Sequence, residues 1–185
     1  MTRYIGRDNL RKRLEPGEGA PGRTTYAGGA VRIEPDDGER LTIRPSFGLA
    51  HEAEYDRLRA APLLEEIAVD HVVAALLVRL GGYAVGVFEG ERLVASKVGA
   101  RFVKNRHKKG GSSANRFRRR REEQARELVD DAAETAARIL TPHRARIEFV
   151  ALCGDRSAVN AVLAARPDLG WLRERALPRF FTVPE

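Results

Sequence analysis

VVAALLVRLGGYAVGVFEGERLVASKVGA, residues 72–100, is the stretch whose reading decides the fold. It holds three runs rich in β-branched and apolar residues, VVAALLVRL, YAVGVFEG and ERLVASKVGA, the last continuing into RFV. Such residues suit a pleated, half-buried surface. Gly81-Gly82 and Glu89-Gly90 are links tight enough for hairpins, so the three runs read as an antiparallel meander. The Ala and Leu content of VVAALLVRL also allows a buried helix, because a short apolar run does not fix its own period.

Outward from the meander, the C-terminal side reads as helix, strand, helix, strand. Ser113 to Leu140 is a long helix, with Phe117, Ala125, Leu128, Ala132, Ala136 and Ile139 spaced to form one apolar stripe, and Pro142 ends it. IEFVALCG (147–154) is an apolar strand, SAVNAVLAAR (157–166) a helix and RFFTVP (179–184) a final strand. On the N-terminal side, AVRIEP (30–35) and RLTIRP (40–45) flank the turn-forming Asp36-Asp37-Gly38 and read as a hairpin. AHEAEYDRLRAA (50–61) is helical in composition, with Pro62 breaking it. Residues 1–30, Gly/Pro-rich around EPGEGAPG, read as a short helix and a mobile arm. The fold class is α+β, a mixed, largely antiparallel sheet with covering helices. Two parts are expected: a basic N-terminal arm and β-hairpin over 1–48, and a larger domain over 49–185 with a Gly-Gly loop at 105–116.

At 185 residues and 43% hydrophobic content, the chain is long enough to bury a core without disulfides or metals. Cys153 is the only cysteine, which excludes a disulfide framework or a Cys-rich zinc site and fits a reducing, cytoplasmic setting. No apolar run reaches the ~18 residues of a membrane span, and MTRYIGRDNLRKRLE lacks the apolar core of a secretory signal. A soluble, cytoplasmic protein with no membrane partner is expected.

The charge is concentrated. Arg101, Lys104, Arg106, Lys108, Lys109, Arg116, Arg118, Arg119, Arg120 and Arg121 lie in one stretch without an acid. With those ten removed from the formal +7, the remainder carries −3. One localised patch of this kind is the footprint of a polyanion. Its charges also oppose helix stability: arginines fill the first turns, where the macrodipole disfavours cations, while Glu127, Asp130, Asp131 and Glu134 lie further along. Ser112 and Ser113 are followed three residues later by Asn115 and Arg116, so no capping box forms. Phosphate oxygens reverse the penalty, since backbone N–H groups at a helix start and arginine forks both suit them. The competing reading is a solvated face whose arginines pair with Glu122 and Glu123. Only Phe102 and Phe117 are nearby aromatics, and no zinc-finger, helix-turn-helix or RNP-type pattern occurs, so groove reading and extended base stacking are not indicated.

KKGGSSANRFRRRR (108–121), with YAVGVFEG upstream and a long Ala-rich helix downstream, resembles the middle domain of eukaryotic and archaeal class I peptide-chain release factors. There a strand, loop and helix carry Gly-Gly-Gln followed by a segment similar to SALRFARLR. The resemblance is closer to the Vms-like release factors, in particular their actinobacterial branch, and covers roughly residues 72–185. Gly110 and Gly111 match the glycine pair, Arg116 and Phe117 the Arg-Phe, and Arg118 to Arg121 the basic helix start. The resemblance implies a release-factor middle-domain, ribonuclease H-like architecture. It implies peptidyl-tRNA hydrolysis that frees nascent chains from stalled ribosomes, with the large subunit and peptidyl-tRNA as partners. No metal, cofactor or DNA partner is implied.

One departure bears on the chemistry. Ser112 stands where class I factors place glutamine, Ala114 and Asn115 where Vms-like members place it, and the loop holds no glutamine; Gln124 lies further along the helix. The resemblance implies that the loop positions a water and stabilises departing charge through a carboxamide and a backbone N–H. Glycine is needed there for close approach and unusual dihedrals. The implied catalytic set is Gly110, Gly111, Ser112, Ser113 and Asn115: Asn115 keeps a carboxamide with one methylene less reach, and the serines offer hydroxyls or helix caps. The alternative is a noncatalytic ribosome- or RNA-binding module that has lost the hydrolytic glutamine. A tRNA nuclease, the third option, lacks a clustered carboxylate or histidine set. His51, His71, His107 and His143 are scattered, His107 alone falling in the basic stretch. Cys153 reads as an inert core thiol, Asp36-Asp37 and Asp130-Asp131 as solvated, and Gly81-Gly82 as a turn with no phosphate-loop lysine after it.

Overall fold

The computed structural model describes residues 4–100 and 113–182, with side chains from residue 119 onward in the second stretch. The chain forms two compact units, Met1–Asp70 and His71–Glu185. Residues 49–70, expected with the larger domain, belong to the first unit, where Leu49, Ala60, Leu63 and Leu64 join its core.

In the first unit, α1 (Arg7–Leu14) and a 3-10 turn (Glu15–Gly17) precede β1 (Gly22–Ala27), β2 (Ala30–Pro35), β3 (Leu41–Ile43), β4 (Ala53–Tyr55) and α2 (Ala61–Ala68). The antiparallel sheet has the order β3-β2-β1-β4. The expected hairpin about Asp36-Asp37-Gly38 is present, with Val31 opposite Ile43 and Ile33 opposite Leu41. Two expectations are corrected. Residues 22–27, expected in a mobile arm, form β1, one of the two inner strands, because Thr24, Thr25 and Tyr26 are strand-forming and Gly28 and Gly29, at φ 57° and 70°, close a two-residue turn onto β2. The helix expected over 50–61 is instead β4 and a connection. Pro62 starts α2 rather than breaking a helix, since the first helical N–H groups have no partner to lose.

Two polar side chains fasten this unit. Buried Thr24 donates through Oγ1 to the Arg57 carbonyl (3.0 Å) and accepts from the Arg59 N–H (2.9 Å). Tyr26 donates to the Arg59 carbonyl at 2.6 Å, and burial pushes its hydroxyl up to about 12. Glu18, far from α2 in sequence, accepts from the Ala60 and Ala61 N–H groups and occupies the start of that helix.

The second unit holds β5 (Val72–Arg79), β6 (Gly82–Glu89), β7 (Arg92–Ala100), α3 (Ser113–Leu140), a 3-10 turn (Thr141–His143), β8 (Phe149–Gly154), α4 (Arg156–Ala165), a second 3-10 turn (Pro167–Leu169) and α5 (Trp171–Glu174). The meander is present, and VVAALLVR is a strand, its alternating Ala74, Leu76 and Val78 buried on one face. The sheet order is β7-β6-β5-β8, with β8 parallel to β5, so α3 carries the chain from one end of the order to the other. Leu128, Ala132, Ala136 and Leu140 of α3 are buried against that face together with Tyr83, Val85 and Val87; Ile139 packs at the margin, and the Phe117 side chain lies outside the described residues. Of the final strand expected at 179–184, residues 183 and 184 lie outside the described residues, and the described part forms only an isolated parallel bridge, Cys153–Phe181, preceded by another, Val150–Ala176. Pro178 between them has no N–H to continue a ladder.

Candidate nucleic-acid interface

Strand β7 ends at Ala100 and α3 begins at Ser113, so the basic stretch is carried between the strand at one end of the sheet order and the longest helix of the chain. Arg101, Phe102, Lys104, Arg106, His107, Lys108, Lys109, Gly110, Gly111 and Ser112 lie outside the described residues. Ser113, Asn115, Arg116 and Arg118 fall in the first turns of α3, which contain no acid. Arg119 and Arg120 are exposed and Arg121 half-buried; Glu122 and Glu123 follow, both exposed.

The length of α3 matters here. Among the described side chains of α3, those from residue 119 onward, the first fully buried one is Leu128, and the 15 helical residues before it span about 22 Å at 1.5 Å per residue. Half-buried Arg121, Gln124 and Ala125 lead into the core, while Arg119, Arg120 and Arg126 are exposed. Core packing in its C-terminal half holds the helix on the sheet. The cationic turns are set at the other end.

The strand before the stretch is tied to the helix after it. Gly99 lies opposite Tyr83, and a Cβ built on Gly99 would fall 2.2 Å from Cζ of that ring. The Tyr83 hydroxyl is 3.1 Å from Thr135 Oγ1, and both side chains are buried. A missing side chain on β7 thus admits the ring that bonds α3.

Strands β5, β7 and β8 run in one direction, so their carboxyl ends share an edge of the unit with the exit of the basic stretch: Ala100 pairs with Gly82, and Val78 with Gly154. Gly154 has φ 94° and donates its N–H to the Phe181 carbonyl at 2.8 Å. Asp155 then caps α4, accepting from the Ser157 hydroxyl and N–H (both 2.7 Å) and the Ala158 N–H (3.2 Å). Those bonds, the Ser157 hydroxyl first, hold its carboxyl below the usual range. Beside it Arg156 stacks on Phe180 and Arg179 on Phe181; the residues are visible in the sequence, but only the fold brings Arg156 to Phe180.

The remaining candidates resolve into structural roles. His71 Nδ1 is 2.9 Å from Glu148 Oε2, whose other oxygen accepts from the Val72 N–H; the histidine bond chiefly keeps the Glu148 carboxyl low. His51 Nε2 is 2.9 Å from the Tyr55 hydroxyl, and His143 lies in the 3-10 turn after α3. Burial pushes the Cys153 thiol up, as befits an inert strand residue. Leu80 and Gly81, with Gly81 at φ 89°, make the turn between β5 and β6, and Asp36-Asp37 lie between β2 and β3. No helix among the described residues is long and apolar enough to cross a membrane.

Among solved structures, the chain is similar to an archaeal translation termination factor, aRF1, at 14% identity and a TM-score of 0.48, covering 97% of this chain and 66% of that one. It is also similar to a structure described as an archaeal protein, at 17% identity and a TM-score of 0.42, covering 87% of this chain and 45% of that one. The chain thus spans about two thirds of the first and under half of the second. No curated protein matches it. A family model described as the actinobacteria/chloroflexi VLRF1 release factor matches residues 71–185, which are the second compact unit. With a strand-to-helix basic stretch in that unit and a family-model match over more than half of the chain, the protein belongs to the actinobacteria/chloroflexi VLRF1 release factor family.

Proposed function

We propose that the protein is a peptidyl-tRNA hydrolase that releases nascent peptides from stalled ribosomes, a role in ribosome rescue. The observation that carries this reading is the pairing of family membership over 71–185 with a stretch of ten cations leaving β7 and entering α3 around Gly110-Gly111. Arg101, Lys104, Arg106, Lys108, Lys109, Arg116 and Arg118 to Arg121 hold RNA phosphates on the large subunit and the tRNA. Gly110 and Gly111 let the backbone approach the ester joining peptide to the terminal ribose. Water attacks that ester carbonyl; the ribose oxygen leaves with a proton, and the peptide departs as an acid. Backbone N–H groups near Ser112, with the Ser112 and Ser113 hydroxyls and the Asn115 carboxamide, orient the water and stabilise charge on the oxygens. The N-terminal unit, residues 1–70, lies outside the family match.

A second reading, a noncatalytic ribosome- or RNA-binding module, is favoured by one observation. No glutamine lies between residues 101 and 116, and Gln124 is about 16 Å along α3 from Ser113. Release of labelled peptide from stalled ribosome complexes separates the two. On the hydrolase reading, Gly111→Ala lowers release on the order of 100-fold, the loss typical of disturbing one preorganised donor, while ribosome binding persists. The tRNA product keeps an intact 3′ end; a shortened one marks a nuclease. Binding without release by the unaltered protein selects the module.

A further inference from the structure

Beyond the basic stretch itself, the same edge of the second unit presents arginines that the family pattern leaves unassigned. Arg156 is exposed, its guanidinium 4.5 Å from the centroid of the Phe180 ring, and it makes no ion pair among the described residues. Arg179 lies 4.6 Å from the Phe181 centroid. The neighbouring carboxylate, Asp155, is engaged with Ser157 and Ala158 rather than with Arg156. Arg156 also opens α4, where a cation opposes the macrodipole, the same breach of helix electrostatics seen at the start of α3.

Register fixes where this group sits relative to the end of β7. Phe181 bridges to Cys153 and its carbonyl receives the Gly154 N–H, so both aromatics stand at the carboxyl end of β8. Ala100, from which the basic stretch departs, stands at the carboxyl end of β7, on the same edge. The strand order β7-β6-β5-β8 puts three interstrand spacings between them, about 15 Å, and the segment holding Phe181 adds about 5 Å more. A guanidinium laid over a ring spends its face on the aromatic and keeps its edge N–H groups for an acceptor. Stacking also restricts the side chain beforehand, which lowers the entropy lost when a phosphate is bound.

We infer that Arg156, held on Phe180, is a second phosphate-contacting site for the acceptor arm of the tRNA whose 3′ end the hydrolase reading brings to the Gly-Gly segment. A site about 15–20 Å from the end of β7 is within reach of the RNA end that the hydrolase reading brings to the basic stretch. The inference rests on the hydrolase reading for the identity of that RNA, and the site's own chemistry is independent of hydrolysis.

The test is binding of the full chain to a labelled acceptor minihelix RNA ending in CCA, measured by fluorescence anisotropy across a potassium chloride series. Arg156→Ala is expected to weaken binding several-fold and to reduce the slope of log affinity against log salt by about 0.7–0.9, the loss of one phosphate contact. Arg156→Lys, which keeps charge but not the planar stack, should retain the slope and recover part of the affinity. Arg166→Ala removes the same charge from an arginine already paired with Asp168 beyond the far end of α4, and should leave both quantities unchanged. Equal effects of Arg156→Ala and Arg166→Ala overturn the site, as does a loss seen with isolated large ribosomal subunits and absent with the minihelix. Peptide release by the unaltered protein, assayed separately, reports on the hydrolase reading, so either can fail while the other stands.

Discussion

At Gly154 and Asp155 two adjacent residues do work that neither could do alone. A Cβ on Gly154 would lie 2.2 Å from the Val78 carbonyl oxygen, and its φ of 94° is a conformation that side-chain-bearing residues rarely adopt. That close passage sends the Asp155 N–H to the same carbonyl at 2.7 Å and turns the Asp155 carboxylate onto the first N–H groups of α4. Gly154→Ala is expected to destabilise the second unit by more than about 1 kcal/mol in urea unfolding. Asp155→Ala should cost about 1 kcal/mol as a lost cap, and this loss should itself depend on pH. The Asp155 carboxyl is held low in the folded state, so its contribution is complete above the ordinary carboxylate range and fades as pH falls through the depressed value. Unfolding curves at neutral pH should separate the variant from the parent, and curves in strong acid should bring them together.

Among the elements, β7 and α3 are the two that flank the proposed site. Gly99→Ala forces the Tyr83 ring away from β7 and from Thr135, because the ring is buried and has little room to yield. Faster hydrogen exchange at the C-terminal end of β7 and in the middle of α3 is the expected outcome, and exchange unchanged at both would show that the ring does not couple them. The same elements show why some of the architecture was readable in advance and some was not. The meander and α3 were legible because long runs with one period outweigh local ambiguity; β5 keeps its alternation even though Ala and Leu would allow a helix. The strand β1 was missed although Gly28-Gly29 stands between Thr-Thr-Tyr-Ala and Ala-Val-Arg-Ile, a hairpin signal hidden by the Gly/Pro-rich residues just before it. In the 50–61 stretch, local helix propensity lost to the pairing of Ala53 to Tyr55 with β1, a tertiary contact that composition does not display. The cationic stretch was legible from charge alone; the Arg156–Phe180 stack was not, since it joins residues 24 positions apart through the fold.

On the scale of the molecule, each unit has a core made of its own residues: Leu10 to Leu64 with their neighbours in the first, Ala74 to Leu172 in the second. A fragment beginning at residue 71 is therefore expected to unfold cooperatively in urea and, on the hydrolase reading, to retain binding of the acceptor minihelix; a molten fragment with no cooperative transition would show that the second core is incomplete by itself. The expected division after residue 48 closes the first part with its hairpin, whereas the two compact units divide between Asp70 and His71, with Leu63 and Leu64 buried in the first core. The parallel pairing of β8 with β5 joins Val73 to Phe149 across the whole meander and α3. Such long-range closure comes late in folding. During synthesis, then, the ten cations emerge from the ribosome before the strand that completes their scaffold has been translated, and a half-made copy presents its charge to RNA with no rigid frame to aim it.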